Sequence, residues 1–265
     1  MSAKIHPLAD VDPGASLGDA VEIGAFCHVG PHATIGAGTR LHAHASVIGH
    51  TTLGAQCVLH AHAIVGGAPQ VIGNEPDRRS RLEIGDRTVF REYASAHTGL
   101  PDFGGTTRIG TDGYIMIGAH IGHDCQVGNH CVLANSAALA GHITLGDHVW
   151  MGGLSAIHQF SHVGEHAFIA GGAIVVGDVI PFGTAVGNRA TLAGLNVKGL
   201  ARRGFSRDRI KAMRRGYKAL FDTGGSFAEA VEAAKQAFAG DADVSRIIAF
   251  IEMERARPLC FPARP

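Results

Sequence analysis

The sequence predicts an all-β solenoid with a small α-helical module at its C-terminal end. Three observations carry that prediction. An aliphatic residue returns at every sixth position through most of residues 1–188, and a small residue often follows it. Beyond about residue 190 the apolar spacing changes to that of helices.

The repeat starts almost at once, with Ile5, Val11, Leu17, Ile23, Val29, Ile35, Leu41, Val47, Leu53, Leu59 and Val65. Glycine follows it in Ile23-Gly24, Val29-Gly30, Ile35-Gly36 and Leu53-Gly54. An amphipathic helix brings apolar residues back at three and four, and a half-buried strand at two, so a period of six fits neither. It fits short strands and turns wound into stacked coils. The 37 glycines and the aromatic content of only 6% suit many tight turns and small inward side chains.

The phase slips twice. Ile84, Phe90 and Ala96 keep the spacing, but Val65 to Ile84 is 19 residues and Ala96 to Ile109 is 13, each one more than a multiple of six. Insertions at about 66–81 and 98–107, both rich in Gly, Pro and charge, account for the slips. Loops that leave a regular scaffold are where sites are often assembled. From Ile109 the period runs unbroken through Ile115, Ile121, Val127, Leu133, Leu139, Leu145, Met151, Ile157, Val163 and Ile169 to Val175. Pro181-Phe182-Gly183 is placed to close the last coil, which sets a first domain at 1–188 and a second at 189–265.

In the second domain Ile210, Met213, Tyr217, Leu220 and Phe221 are spaced as one apolar helix face, with Ser206 as its cap. Arg207, Lys211, Arg214, Arg215 and Lys218 fall on the opposite side. Ser226 and Glu229 form a capping box that opens a second helix to about Phe238. Asp243 to about Arg255 reads as a third, and the tail PLCFPARP as irregular.

Composition narrows the function. A net charge of zero removes any whole-molecule field that would favour nucleic acid or a membrane surface. The distribution is uneven: residues 1–188 carry 8 Lys/Arg against 15 Asp/Glu, and residues 189–265 carry 15 against 8, so an acidic partner fits the C-terminal module. Five scattered cysteines without a C-x-x-C pair point to buried, reduced thiols rather than a disulfide framework. The N-terminus lacks an apolar segment of signal-peptide length, and no run approaches the ~18 residues of a spanning helix. A cytoplasmic chain without an integral membrane segment is expected.

Hexads of the form aliphatic-Gly-x-x-small-x resemble the hexapeptide-repeat acyltransferases. Within them, GAHIGHDCQVGNHCVLANSAALAGHITLGDHV, followed by GGLSAIHQF and NVKGLARRGFS, is similar to the UDP-N-acetylglucosamine acyltransferases of lipid A biosynthesis. The resemblance covers nearly the whole chain. It implies a left-handed parallel β-helix, three hexads per coil, and a homotrimer with active sites at subunit interfaces. The reaction it implies moves a 3-hydroxyacyl chain from acyl carrier protein to the 3-position of the nucleotide sugar. No cofactor or metal is expected beyond the phosphopantetheine of the carrier.

With three hexads per coil, residues 18 apart stack. His123, Gly141 and Gln159 then share a column, with Gly122, Ala140 and His158 before it and Asp124, His142 and Phe160 after it. Moving an acyl group from a thioester to a hydroxyl needs a base and oxyanion donors. The resemblance makes His123 the base, Asp124 its partner and the Gly141 N–H the oxyanion donor. His120, His142 and His158 are assigned to substrate binding. Among 17 histidines most belong in solvated turns, and His6, His28, His32, His44 and His162 are placed there.

By the same resemblance Gln159, Asn196, Arg202 and Arg203 hold the nucleotide, and Gly171 leaves the acyl slot deep enough for a long chain. The basic face at Arg207, Lys211, Arg214, Arg215 and Lys218 would dock the acidic carrier protein. Three departures affect the acceptor. Gln70 of the first insertion keeps its family identity, but Val71 and Gly73 replace an Asp and a Lys that grip the sugar. Lys198 replaces a Glu, and Arg189 a His. These leave open a paralogue using another nucleotide sugar, N-acylation or a coenzyme A donor. More distant alternatives are a non-catalytic binding protein and a hexapeptide-repeat zinc enzyme with three imidazole ligands.

Overall fold

Most hexads fold into a two-residue strand and a corner. In His120–Ile121, Gln126–Val127 and Val132–Leu133 the first residue is partly exposed and the second is buried. The aliphatic period is therefore the inward column of the coil. The computed structural model describes residues 2–73, 79–222 and 224–263. Across those residues, up to Val175, the strands pair in parallel with the third strand further along the chain, and with the last two strands of the first face this builds three long faces of 11, 9 and 8 strands. His120 pairs with Ala138, and Ala138 with Ala156, so the stacking interval is 18 along the second face from His120 onward.

The core is a closed stack of Ile, Leu and Val with Ala and Cys between them. All five cysteines are buried and free. Burial pushes the Cys125 and Cys131 thiols up to about 12, which keeps them protonated and inert. The insertions loop out without loss of register: Leu53 pairs with Ile84, and Ile84 with Ile109. The first runs between strands Ile64–Gly67 and Arg81–Ile84, and its residues 74–78 lie outside those described. The second carries a 3₁₀ turn, Pro101–Phe103, and rejoins the coil at strand Thr106–Ile109.

Among the described residues four helices follow: α1 (Val197–Arg202), α2 (Arg207–Phe221), α3 (Phe227–Ala237) and α4 (Ala242–Glu252). Ser206 caps α2, Ser226 and Glu229 close a capping box on α3, and Asp241 caps α4. Ile210, Met213 and Leu220 of α2 are buried, and Gly216 lets α4 approach, since a Cβ there would lie 2.5 Å from a Val244 methyl. Arg246 of α4 reaches back to Glu165 of the solenoid at 3.1 Å.

Several expectations need correction. Residues beyond 190 do not turn directly helical: strand Thr191–Leu195 runs antiparallel to Gly183–Val186 and extends the first face. Gly183–Val186 itself continues the coil past Pro181. The short helix α1 had no apolar period long enough to be read. Helix α4 stops at Glu252, and the tail is tied down by bridges from Leu259 to Asp178 and from Pro262 to Leu192. His28 and His162 stand on strands rather than in turns.

Candidate active site

The corner where the second face turns into the third gathers the residues singled out above. The Gly122-His123-Asp124 corner is followed one coil later by Ala140-Gly141-His142 and then by His158-Gln159-Phe160. The coils are laced together there: the His142 N–H donates to the His123 carbonyl at 2.9 Å and the Phe160 N–H to the Gly141 carbonyl at 3.3 Å.

His123 Nδ1 lies 2.7 Å from Asp124 Oδ2. The Asp124 side chain is only 4% exposed, and the Leu100 N–H donates to both its oxygens at 2.9 and 3.1 Å. An ionised carboxylate only accepts, so the shared proton sits on Nδ1 and the lone pair of His123 is on Nε2. The His123 ring lies over Gly141, where a Cβ would meet its Cε1 at 2.4 Å. Glycine at 141 is therefore a steric requirement of the ring's position. Among the described residues nothing accepts from the Gly141 N–H.

His142 is held differently. Its ring stacks on Phe160 at 4.4 Å, meets Phe103 of the second insertion at 4.4 Å and stands edge-on to His123 at 4.9 Å. Burial holds it below the usual histidine range, against the pull of Asp124, whose Oδ2 is 3.7 Å from its Nδ1. His120 is also neutral at physiological pH, pushed down to about 4 by burial and by the nearby His97 and His123 imidazoles. Its Nδ1 is 2.9 Å from the Ser95 hydroxyl.

These residues open on a pocket of about 400 Å³ lined by Gln70, His97, His120, His123, Gly141 and Gln159, with Ala138, Ala140 and Ala156 as its apolar floor. Ser95 and His97 were not singled out from the sequence. Stacking by 18 fails across the second insertion, because Ser95 and His120 are paired 25 residues apart. A count through that insertion would have found them. His158, by contrast, is outside the pocket: it is exposed, with Nδ1 3.3 Å from the Gln159 carbonyl.

The nucleotide-binding set divides. Asn196, Lys198, Arg202 and Arg203 line a second pocket, of about 710 Å³, with Trp150, Phe168 and Thr184 of the first face. Asn196 there spends its side chain on structure, accepting from the Gly199 N–H as the cap of α1 and donating to the His166 carbonyl. Arg203 points inward, its Nη2 donating to the His148 carbonyl at 2.9 Å, and burial lowers its pKa. Arg202 and Lys198 are exposed at the rim, while Arg189 lines neither pocket. Gly171 sits on the opposite edge of the second face, where a Cβ would meet only the Gly153 backbone at 3.4 Å or more.

On α2, Arg207, Lys211, Arg214, Arg215 and Lys218 are all exposed. Lys211 alone of these has an acidic neighbour among the described residues, Asp208 at 3.6 Å. Arg209 does not join them, being engaged by both oxygens of the buried Asp243. For metal binding, one group among the described residues has suitable donors: His123, Asp124 and His142, with ligand atoms within 4.8 Å of one another. It supplies two imidazoles and a carboxylate, not three imidazoles, and the carboxylate is already bonded to His123 and the Leu100 N–H.

Comparison with known proteins bears on this geometry. Residues 14–49 match the bacterial transferase hexapeptide family (six repeats), and residues 178–260 match domain 2 of UDP N-acetylglucosamine O-acyltransferase. The acyl-[acyl-carrier-protein]–UDP-N-acetylglucosamine O-acyltransferase of Paraburkholderia phytofirmans is 45% identical over 254 residues, 94% of this chain and 97% of the relative. The chain belongs to the UDP-N-acetylglucosamine O-acyltransferase family. The Caulobacter vibrioides relative of the same description is 48% identical over 200 residues, 76% of each chain. The solved UDP-N-acetylglucosamine acyltransferase of Francisella novicida superposes with a TM-score of 0.93 at 33% identity, over 98% of this chain and 95% of that one. The Campylobacter jejuni enzyme gives 0.90 at 38% identity, over 97% and 99%. The acyltransferase thus has the left-handed parallel β-helix of this family. Next to Gln70 of the first pocket, Val71 and Ile72 are exposed apolar residues.

Proposed function

We propose that the chain transfers an acyl group from acyl carrier protein to the 3-hydroxyl of UDP-N-acetylglucosamine, the first step of lipid A biosynthesis, with His123 as general base. The observation that carries the mechanism is the 2.7 Å contact of His123 with a buried Asp124 that also accepts from the Leu100 N–H, with the ring lying over Gly141. His123 Nε2 removes the proton of the sugar hydroxyl as its oxygen attacks the thioester carbonyl. The imidazolium so formed is stabilised by Asp124. The tetrahedral oxyanion accepts from the Gly141 N–H, and its collapse breaks the carbon–sulfur bond. The imidazolium returns its proton to the leaving thiolate, so the enzyme ends as it began. No resident cofactor is needed.

The wider assignments follow the same reading. The two pockets open on different faces of one chain, which supports a homotrimer whose sites are completed between subunits. The apolar floor of Ala138 and Ala156 leads from His123 toward Gly171, a path suited to a long acyl chain. The unpaired cations of α2 suit the acidic carrier protein. A cytoplasmic location fits acyl carrier protein as donor. A different nucleotide sugar is the second reading, favoured by the exposed Val71 and Ile72 and by Gly73 and Lys198.

His123→Ala tests the mechanism. Removing the base should slow transfer at least ~10²-fold with the oligomer intact. Near-normal turnover in a folded variant would reject the assignment.

A further inference from the structure

Along the corner that carries the site, the chain passes through the left-handed region once per coil, at Asp124 (φ 61°), His142 (φ 60°) and Phe160 (φ 65°). The N–H of that residue is buried in the turn and needs an acceptor. For His142 and Phe160 the acceptor is a backbone carbonyl of the coil before, at 2.9 and 3.3 Å. Asp124 breaks this pattern. The coil before it leaves the corner for the second insertion, and its N–H donates instead to the Thr107 hydroxyl at 2.8 Å. Thr107 is fully buried.

The same insertion holds the other end of the residue. The Leu100 N–H bonds both carboxylate oxygens, and the chain can pass this close only because Gly99 lacks a side chain: a Cβ there would lie 2.8 Å from Asp124 Oδ1 and 2.4 Å from the Thr106 nitrogen. The 98–107 segment therefore grips Asp124 by backbone and by side chain.

We infer that Thr107 is a positioning residue for acyl transfer: its hydroxyl, acting with the Leu100 N–H, fixes Asp124 so that the carboxylate keeps His123 in the Nδ1–H form. The inference rests on the reading of His123 as the base. Thr107 does not line the pocket, and its hydroxyl is bonded to the Asp124 N–H, so it acts through Asp124. Replacing its hydroxyl by a methyl leaves the shape and removes the one acceptor of the Asp124 N–H, which the turn then has to relieve by moving.

The test compares Thr107→Val with Thr107→Ser in the full-length enzyme. The valine variant should lose about 10- to 10²-fold in kcat, as expected for a shift of the base by up to about 1 Å, with KM for both substrates changed less than about twofold. Serine keeps the hydroxyl and should stay within about threefold of wild type. Nitrogen-15 spectra of the His123 ring should show the Nδ1–H form dominant in wild type and serine and mixed with the Nε2–H form in valine. If valine does not yield folded protein, alanine against serine gives the same contrast. Wild-type kcat and tautomer in the valine variant would overturn the inference, as would equal losses in valine and serine with the tautomer unchanged. The ring spectra do not depend on turnover, so a failure of the base assignment, seen as an active His123→Ala enzyme, stays distinguishable from a failure of this one.

Discussion

Gly141→Ala is the smallest substitution that tests the geometry of the site. The added methyl would lie 2.4 Å from His123 Cε1, 2.6 Å from Nε2 and 3.0 Å from Nδ1. Ordinary contact begins near 3.4 Å, so the ring or the corner has to give by about 1 Å. The corner cannot move freely, because the Phe160 N–H bonds the Gly141 carbonyl and the His142 N–H bonds the His123 carbonyl. The ring therefore takes the displacement, and its 2.7 Å bond to Asp124 lengthens beyond a useful hydrogen bond. A misplacement of about 1 Å at a reacting group costs about 10²-fold in rate. The methyl also crowds the space beside the Gly141 N–H, while the donor itself stays in place. The assay is steady-state transfer from acylated carrier protein, read by mass spectrometry, with circular dichroism to confirm the fold. The loss should fall on kcat more than on KM. A variant with kcat within about threefold of wild type would refute the ring's position over Gly141.

Reversing charge at Arg207 and Lys211 should raise KM for acyl carrier protein about threefold to tenfold and flatten its dependence on salt, because exposed charges act through screened, long-range attraction. An unchanged KM would move the docking site elsewhere. His166 is neutral in the fold, pushed down to about 4 by burial and by His148, Arg203, Arg209 and Arg246, whereas an unfolded histidine titrates near 6.5. The unfolded chain binds the proton first, so stability should fall as pH drops from about 6.5 to about 4. His166→Phe, which keeps the stack with Phe182, should flatten that slope by about 1.4 kcal/mol per pH unit in denaturant titrations. Equal slopes would contradict the buried neutral imidazole. Metal analysis of protein purified without a histidine tag should find no stoichiometric zinc, and full zinc occupancy at His123, Asp124 and His142 would displace the acid–base account.

The candidate catalytic corner was legible in the sequence because it lies in the stretch from Ile109 to Val175, where the six-residue period never slips. Counting by 18 there reaches the observed stack of His123, Gly141 and Gln159 and of His142 on Phe160. Across the insertions the count has no fixed step, which hid Ser95 and His97 on the near side of His120. The grip of Leu100 and Thr107 on Asp124 was hidden for the same reason. Helix α1 was invisible because its six residues carry one buried apolar side chain, Leu200. Arg209 read as one more surface cation, and only the approach of α4 shows it committed to Asp243. Asn196 carried a substrate assignment by resemblance, while its position makes it a helix cap as well. Sequence periodicity fixes what repeats, and these residues do their work where the repeat is interrupted.

The central claim is acyl transfer to the sugar of UDP-N-acetylglucosamine. The direct test is a panel of nucleotide sugars crossed with acyl carrier proteins of different chain lengths and with acyl coenzyme A, with products identified by mass spectrometry. The account predicts an O-acylated UDP-N-acetylglucosamine formed from a long 3-hydroxyacyl carrier protein, with coenzyme A thioesters markedly poorer. No transfer to UDP-N-acetylglucosamine under conditions where another nucleotide sugar is acylated would contradict it.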